Sequence, residues 1–481
     1  MKKRMKSVIA LLLAASMLTA CAGGKTSDKS TLKAEDFETD QEFITIVDAT
    51  PNPNDKTAMD LYTDLGVNTF VLTEDYVTMT ENGTLSDEYK NAIKEVGKRG
   101  LNVWIRNMWN DPDYFDSDTK KEGSNYGSPY TMEPRKITTE FSEFPEVTGF
   151  YMADELYMKT LADKPETEYD DSLFCAMDQM GKLIEWKNKY YPDAYWHINH
   201  VPSSSYDHWP SDGNYKEFIQ YYVDNVIKKL TSGGRSISLD NYPLGEDMKI
   251  AYSYLPDLLT VANITRDYNA EAADDQKADF CICLQTFQNT NKLAKIRDIT
   301  STADITFQMF TGMSLGSRMF EYFCWRTYEQ VDMYGIVDSA GEKRIYDYVK
   351  EASDQVLPFA KVMCGFDWQG LTTCRGENAG IEDAFSDVQD MLIEDTGVLT
   401  SVKSRYDSIV GCFKQGEQAG YMAVNYTAPN EDKTNIVDLT FEGCTQVLVY
   451  TIDGVENKNL TEDGQLRLVL PAGQGAFVIP A

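Results

Sequence analysis

Two adjacent carboxylates, Asp154 and Glu155, close the apolar run from Val147 to Met152. A strand that ends in acids and runs on into a helical stretch is how a closed parallel β/α sheet presents carboxyl groups at its mouth. One carboxyl group there can protonate a leaving oxygen, while a second, across the scissile bond, attacks or activates water. Glu155 is the expected proton donor, because burial at a mouth and the charge of Asp154 both favour its protonated form. The competing reading is that the acid pair merely caps the next helix. Two residues compete for the second role. Asp240 ends Ile237-Ser238-Leu239-Asp240-Asn241-Tyr242-Pro243, where Pro243 stops the strand; its plain alternative is an Asx turn. Glu321 points inward if Tyr322 points outward. Its plain alternative is a buried acid paired with Arg106 or Arg318.

Other polar and aromatic residues fall at successive strand ends: Asp48, then Arg106, Asn107 and Trp109, then Asn199 and His200, Tyr242, Gln285 and Trp325. Such a set suits a sugar, whose hydroxyls need carboxylates, amides and guanidinium and whose ring faces need aromatic platforms. A metal centre is not expected. The chain has three histidines and no Cys-x-x-Cys, and His197 and His200, three apart in an extended segment, point to opposite faces. No cofactor is implied.

The elements that must position these residues alternate. Strands are expected at Phe43–Asp48, Thr69–Thr73, Val103–Asn107, Val147–Ala153, Tyr195–Asn199, Ser236–Leu239, Phe280–Phe287 and Met319–Trp325. Helix-like segments lie between them, among them Lys56–Leu65, Asp87–Arg99, Leu173–Tyr190, Tyr215–Leu230 and Leu255–Asp267. Eight β/α units in residues 41–360 predict a (β/α)8 barrel, with a doubly wound open sheet as the alternative. No Gly-x-Gly-x-x-Gly follows the first strand, which argues against a nucleotide-binding version. In residues 361–481 short alternating runs are separated by Asp453-Gly454, Asp463-Gly464 and Ala472-Gly473, the pattern of a small antiparallel β-sandwich.

Residues 1–20 read as an export leader: Lys2, Lys3, Arg4 and Lys6 precede an apolar stretch from Val8 to Met17 that is too short to span a bilayer. Leu18-Thr19-Ala20-Cys21 resembles the lipobox of bacterial lipoproteins. This implies lipidation of Cys21, a tether over residues 21–40, and a protein anchored on the outer side of the cell membrane. The net charge of −31 makes nucleic acid a poor partner, since phosphate binding needs a basic patch. Of nine cysteines, Cys281, Cys283 and Cys324 sit in apolar runs and are expected to be buried free thiols.

The segments Gly149-Phe150-Tyr151-Met152-Ala153-Asp154-Glu155, Trp196-His197-Ile198-Asn199-His200-Val201-Pro202 and Leu239-Asp240-Asn241-Tyr242-Pro243 resemble barrel segments of bacterial glycoside-hydrolase-like lipoproteins. The stretch Gly312 to Arg326 is similar to the last barrel strand of family forty-two β-galactosidases and other clan A glycosidases. That resemblance implies a retaining hydrolase whose acid/base follows the fourth strand, which Glu155 matches, although Asp154 stands where an Asn is usual. It also implies a nucleophilic Glu ending the seventh strand, and there this chain has Gln285. Either Asp240 or Glu321 replaces it, or the enzyme inverts, or catalysis is lost. The leading expectation is an extracytoplasmic, membrane-anchored glycoside hydrolase acting on oligosaccharides. The rivals are a non-catalytic carbohydrate-binding lipoprotein and a transporter's substrate-binding lipoprotein, the latter disfavoured by the terminal β-sandwich.

Overall fold

The computed structural model describes residues 32–73, 84–106, 139–154, 157–159, 174–205, 214–289, 296–327, 333–338 and 341–481. Eight strands lead the fold: β1 (Ile44–Val47), β2 (Thr69–Leu72), β3 (Asn102–Arg106), β4 (Val147–Ala153), β5 (Tyr195–His200), β6 (Ser236–Asp240), β7 (Asp279–Gln285) and β8 (Met319–Phe323). They hydrogen-bond in the order β1-β8-β7-β6-β5-β4-β3-β2, each pair parallel. Among the described residues no backbone ladder joins β1 to β2; side chains bridge that seam instead. Asn68 Oδ1 accepts from Thr45 N at 3.0 Å, Asn68 N donates to Thr45 Oγ1 at 3.0 Å, and Asn68 Nδ2 donates to Phe43 O at 2.8 Å. Toward the mouth, Thr50 Oγ1 donates to Val71 O at 2.7 Å. Backbone groups that would otherwise be buried without partners are thereby satisfied. The fold is the (β/α)8 barrel the strand count predicts, not the open sheet.

Helices α1 (Lys56–Asp64), α2 (Asp87–Gly97), α3 (Met177–Tyr190), α4 (Tyr215–Asn225), α5 (Tyr254–Glu271), α6 (Thr302–Ser314) and α7 (Tyr346–Val356) surround the strands. Their ends are written in the sequence. Ser86 caps α2 by accepting from Tyr89 N, and Tyr89, Ala92, Ile93 and Val96 form its buried stripe. Asn214 and Glu217 make a reciprocal capping box on α4. Helices α3 and α4 fall furthest short of their expected spans. Phe174–Ala176 pairs as a strand with Tyr157–Lys159 before α3 begins. Helix α4 gives way after Asn225 to a tight turn over Ile227–Lys229, where Arg235 Nη1 takes the Ile227 and Leu230 carbonyls. Among the described residues no helix is long and apolar enough to cross a membrane.

The C-terminal region forms two antiparallel sheets from β9 (Asp367–Cys374), β10 (Leu399–Ser404), β11 (Ser408–Gln415), β12 (Gln418–Asn425), β13 (Asn435–Phe441), β14 (Gln446–Thr451), β15 (Gly454–Asn459), β16 (Gln465–Leu470) and β17 (Gly475–Pro480). One runs β9-β11-β12-β17-β14-β15 and the other β10-β13-β16. Val410, Tyr421, Val437, Leu439, Leu468 and Val478 lie in the core they share. This β-sandwich is seated on the barrel through α6, which is buried from Asp304 to Ser314. Gly411 allows the close approach: a Cβ there would lie 1.9 Å from the Ser314 carbonyl oxygen.

Strand alternation fills the barrel from below. Ile46, Val71, Trp104, Tyr151, Tyr195, Cys281 and Met319 form one interior cluster, with Trp104 stacked on Tyr195 at 4.6 Å. Polar residues lie above this plug, on the side of the strand C-termini.

Candidate active site

The residues above the plug make one connected cluster. Glu321, on β8 and 1% exposed, accepts a hydrogen bond from Tyr151 Oη at 2.8 Å, and its other oxygen lies 3.2 Å from His197 Nε2. His197 Nδ1 lies 2.6 Å from Ser236 Oγ on β6. Tyr151 Oη also lies 3.3 Å from Asp154 Oδ1. Two residues three apart on a strand would normally face opposite ways. Here the β4 register slips between Tyr151 and Ala153, and this bulge turns Asp154 onto the lumen side with Tyr151.

Asp154 is fixed from three directions. Asn199 Nδ2 donates to its Oδ1 at 3.1 Å, and Arg106 Nη2 donates to its Oδ2 at 3.0 Å. Arg106 Nη1 donates to Asp48, and the guanidinium lies 4.4 Å from the centre of the Tyr151 ring. Asn199 is held in turn, its Oδ1 accepting from Ser238 Oγ at 2.9 Å. Asp154 keeps 28% of its side chain exposed, so the cluster opens to solvent at this residue.

Electrostatics divide the cluster into a neutral floor and a charged rim. Burial, helped by the Asp154 charge, pushes the Glu321 carboxyl up to about 8 from an ordinary 4.5. Burial pushes His197 down to about 3, with Arg106 acting the same way. A consistent assignment at neutral pH puts the proton on Glu321 Oε2, donated to a neutral His197 whose Nδ1–H donates to Ser236. Glu321→Gln mimics that protonated acid, so it is expected to keep activity within about tenfold of wild type. The pH sign follows. Between 4.5 and about 8 the folded chain holds the Glu321 proton more firmly than the unfolded chain does, so this group's contribution to stability falls as pH rises. Glu321→Gln lacks that slope, and melting curves at pH 5 and pH 8 should move in its favour relative to wild type. A loss of turnover beyond about a hundredfold with the fold intact would instead restore Glu321 as a reacting carboxylate.

Several expected site residues are placed differently from the sequence reading. Glu321 is a buried acid, but its partners are Tyr151 and His197. Arg318 turns instead to the Phe366 carbonyl and Asp367. His200 faces outward, its ring edge-on to Tyr222 and Phe218 of α4, because the alternation of β5 gives the lumen to His197 and Asn199. Trp325 is 3% exposed and packs on Tyr62 of α1, so it offers no sugar platform. Gln285 is fully buried, with its amide donated to the Arg297 carbonyl at 2.8 Å, so it pins a loop. Asp240 closes β6 on the lumen side, in register with Cys283 and 7% exposed. Half-buried Tyr242 stacks on half-buried Phe323 at 6.3 Å and meets Phe287 edge-on at 5.1 Å. Glu155, Asn107, Trp109 and Cys21 lie outside the described residues.

Tyr151, His197, Ser236, Ser238 and Phe323 were not singled out as ligands by the sequence. His197, Ser238 and Phe323 sit two residues before or after a candidate on the same strand and Ser236 sits four before Asp240, so strict alternation could have found them; Tyr151 depends on the bulge. Further out, Asp257 of α5 accepts from Ser203 N at 2.9 Å and Asn241 Nδ2 at 2.8 Å, tying together the segments that follow β5 and β6. Among the described residues no group of three or more His, Cys, Asp or Glu side chains is arranged to hold a metal ion. Cys281, Cys283, Cys324, Cys364 and Cys412 are buried free thiols.

No protein-family model matches the chain, and no curated protein matches it. Solved structures do. A family 5 glycoside hydrolase from Bacteroides vulgatus aligns with a TM-score of 0.51 at 9% identity, over 92% of this chain and 89% of that one. A family 42 β-galactosidase from G. stearothermophilus aligns at 0.49 and 10% identity, over 91% and 98%. The chain spans 60% of the β-galactosidase from the psychrophilic Marinomonas ef1, matching over 67% of its own length with a TM-score of 0.45 and 12% identity. The barrel, with the sandwich behind it, thus has the fold of the Bacteroides vulgatus hydrolase.

Proposed function

We propose that this protein is a glycoside hydrolase that cleaves oligosaccharides at the barrel mouth, with Glu155 as general acid, exported and held at the outer membrane face through a lipidated Cys21. The observation that carries the reading is the fixing of Asp154. Arg106, Asn199 and Tyr151 hold it at the rim of a closed barrel, and Glu155 is the next residue in the chain. Binding and positioning fall to the rim: Asp48, Asp154 and Asn199 for hydroxyls, Tyr242 and Phe323 for a ring face.

In this mechanism Glu155 protonates the glycosidic oxygen as the bond to the anomeric carbon breaks. Asp240 is the second carboxylate, because it lies on the lumen side at a strand end, whereas both Glu321 oxygens are already engaged by Tyr151 and His197. If Asp240 attacks the anomeric carbon, configuration is retained; if it activates water, configuration inverts. The Gln285 side chain at the end of β7 supports the rival reading, a glycan-binding lipoprotein without turnover. Incubating the protein with a panel of oligosaccharides and following the anomeric protons by NMR separates these readings. New reducing ends of one defined anomer are expected. Saturable binding with no product from any bound glycan would favour the rival.

A further inference from the structure

Among the described lumen-facing strand residues at the mouth, carboxylates outnumber cations. Asp48, Asp154 and Asp240 face the lumen, and among the described lumen-facing strand residues the one cation is Arg106. Its two terminal nitrogens are given to Asp48 and Asp154, and its face to Tyr151. The buried Glu321 and His197, neutral together, add nothing to offset the carboxylates. Arg326, half-buried, lies beyond the end of β8.

A second, independent feature points to what the rim receives. Asp48 is fully buried. Its Oδ1 accepts from Ala49 N at 2.6 Å and from Arg106, while its Oδ2 has no hydrogen-bond partner among the described residues. A buried, unsatisfied carboxylate oxygen calls for an explanation, and being acceptor-only it can be completed only by a donor. A sugar hydroxyl or ammonium supplies one. A uronate, sulfate or phosphate group brings further acceptors and a like charge into a poorly solvated site, where repulsion is several-fold stronger than in water.

We infer that the barrel mouth selects a glycan whose bound residue carries no anionic group, a neutral or amine-bearing sugar, and that Asp48 is the residue that enforces this choice. The inference rests on the sugar-binding reading of the mouth and specifies its substrate class. The test uses the whole mature chain. Binding and hydrolysis are measured with 4-nitrophenyl glucosides and galactosides of both anomers, the matching glucuronides and galacturonides, and the free-amine glucosaminides, alongside neutral, amine-bearing and uronate oligosaccharides. A charge-assisted hydrogen bond of about 1.5–3 kcal/mol corresponds to a preference for uncharged or amine-bearing sugars over uronides of roughly 10- to 150-fold. Asp48→Asn should narrow that ratio by about tenfold or more. The wild-type panel decides the matter even if the variant does not fold.

Neutral or amine-bearing glycans bound and cleaved support the inference. The same glycans bound but never cleaved also support it, while removing the hydrolase reading. Cleavage that favours uronides, above all if lost in Arg326→Ala, overturns the inference and leaves the hydrolase reading standing. A ratio unchanged in folded Asp48→Asn overturns the role of Asp48. Binding of neither class overturns the inference together with the reading beneath it.

Discussion

Replacing Glu155 with Gln is expected to cut turnover of oligosaccharides by at least about a hundredfold with no change in melting temperature, the smaller end of what a positioned general acid contributes. Gln has the shape of a protonated Glu and can still donate a hydrogen bond, but it cannot release a proton to the departing oxygen. The loss should therefore depend on the leaving group. A natural sugar alcohol needs protonation, whereas a nitrophenolate departs with little help, so aryl glycosides should lose much less. The alkaline limb of the kcat/KM profile, which reports the acid of the free enzyme, should vanish in the variant. Activity within about tenfold of wild type, or an equal loss for every leaving group, would remove Glu155 from the role of proton donor.

Arg106→Met is expected to have the largest effect on stability. It deletes the one guanidinium shared by Asp48 and Asp154 and leaves the fully buried Asp48 without its charge partner. Breaking a buried pair from one side costs about 3–5 kcal/mol, because the abandoned charge stays in a poor solvent. Met fills much of the same volume, so a cavity contributes little to that loss. Denaturant melts of wild type and variant at neutral pH should show that deficit. A deficit of only about 1 kcal/mol would mean that the arginine acts mainly through packing. Activity should fall as well, because Asp154 loses one of its three supports directly beside the proton donor.

The barrel was legible in the sequence because a strand buried on both faces announces itself by apolar runs such as Val147–Met152, and each β/α crossover repeats the pattern. Helix ends were legible where a cap is local, as at Ser86 with Tyr89. The sandwich was legible only in part. Strands β13 and β16 alternate cleanly, but β14 is a continuous buried run from Val447 to Tyr450, β15 is almost wholly exposed and carries hardly any apolar signal, and the glycine bulge in β9 breaks its register. At the site, strand ends identified Asp48, Arg106, Asp154 and Asn199, which the fold joins by direct hydrogen bonds. Facing was harder to read than position. His200 and His197 are equally polar, and only the phase of β5 assigns the lumen to His197. Trp325 lies two residues beyond the C-terminal end of β8, yet its ring turns outward to Tyr62. The Tyr151 contact with Asp154 arises from a one-residue slip in β4 that no spacing rule foretells. Glu321 was identified as inward-pointing but misread as to partners, because its neighbours come from β4 and β5, far away in sequence.

The most direct measurement is a crystal structure of Glu155→Gln with a neutral oligosaccharide bound. The expected result is a glycosidic bond lying across the barrel mouth, its oxygen within about 3 Å of the residue 155 amide, with the Asp240 carboxyl on the opposite face of the sugar ring. A glycan seated elsewhere on the chain, or one in the mouth with residue 155 turned away from the bridging oxygen, would contradict proton donation by Glu155.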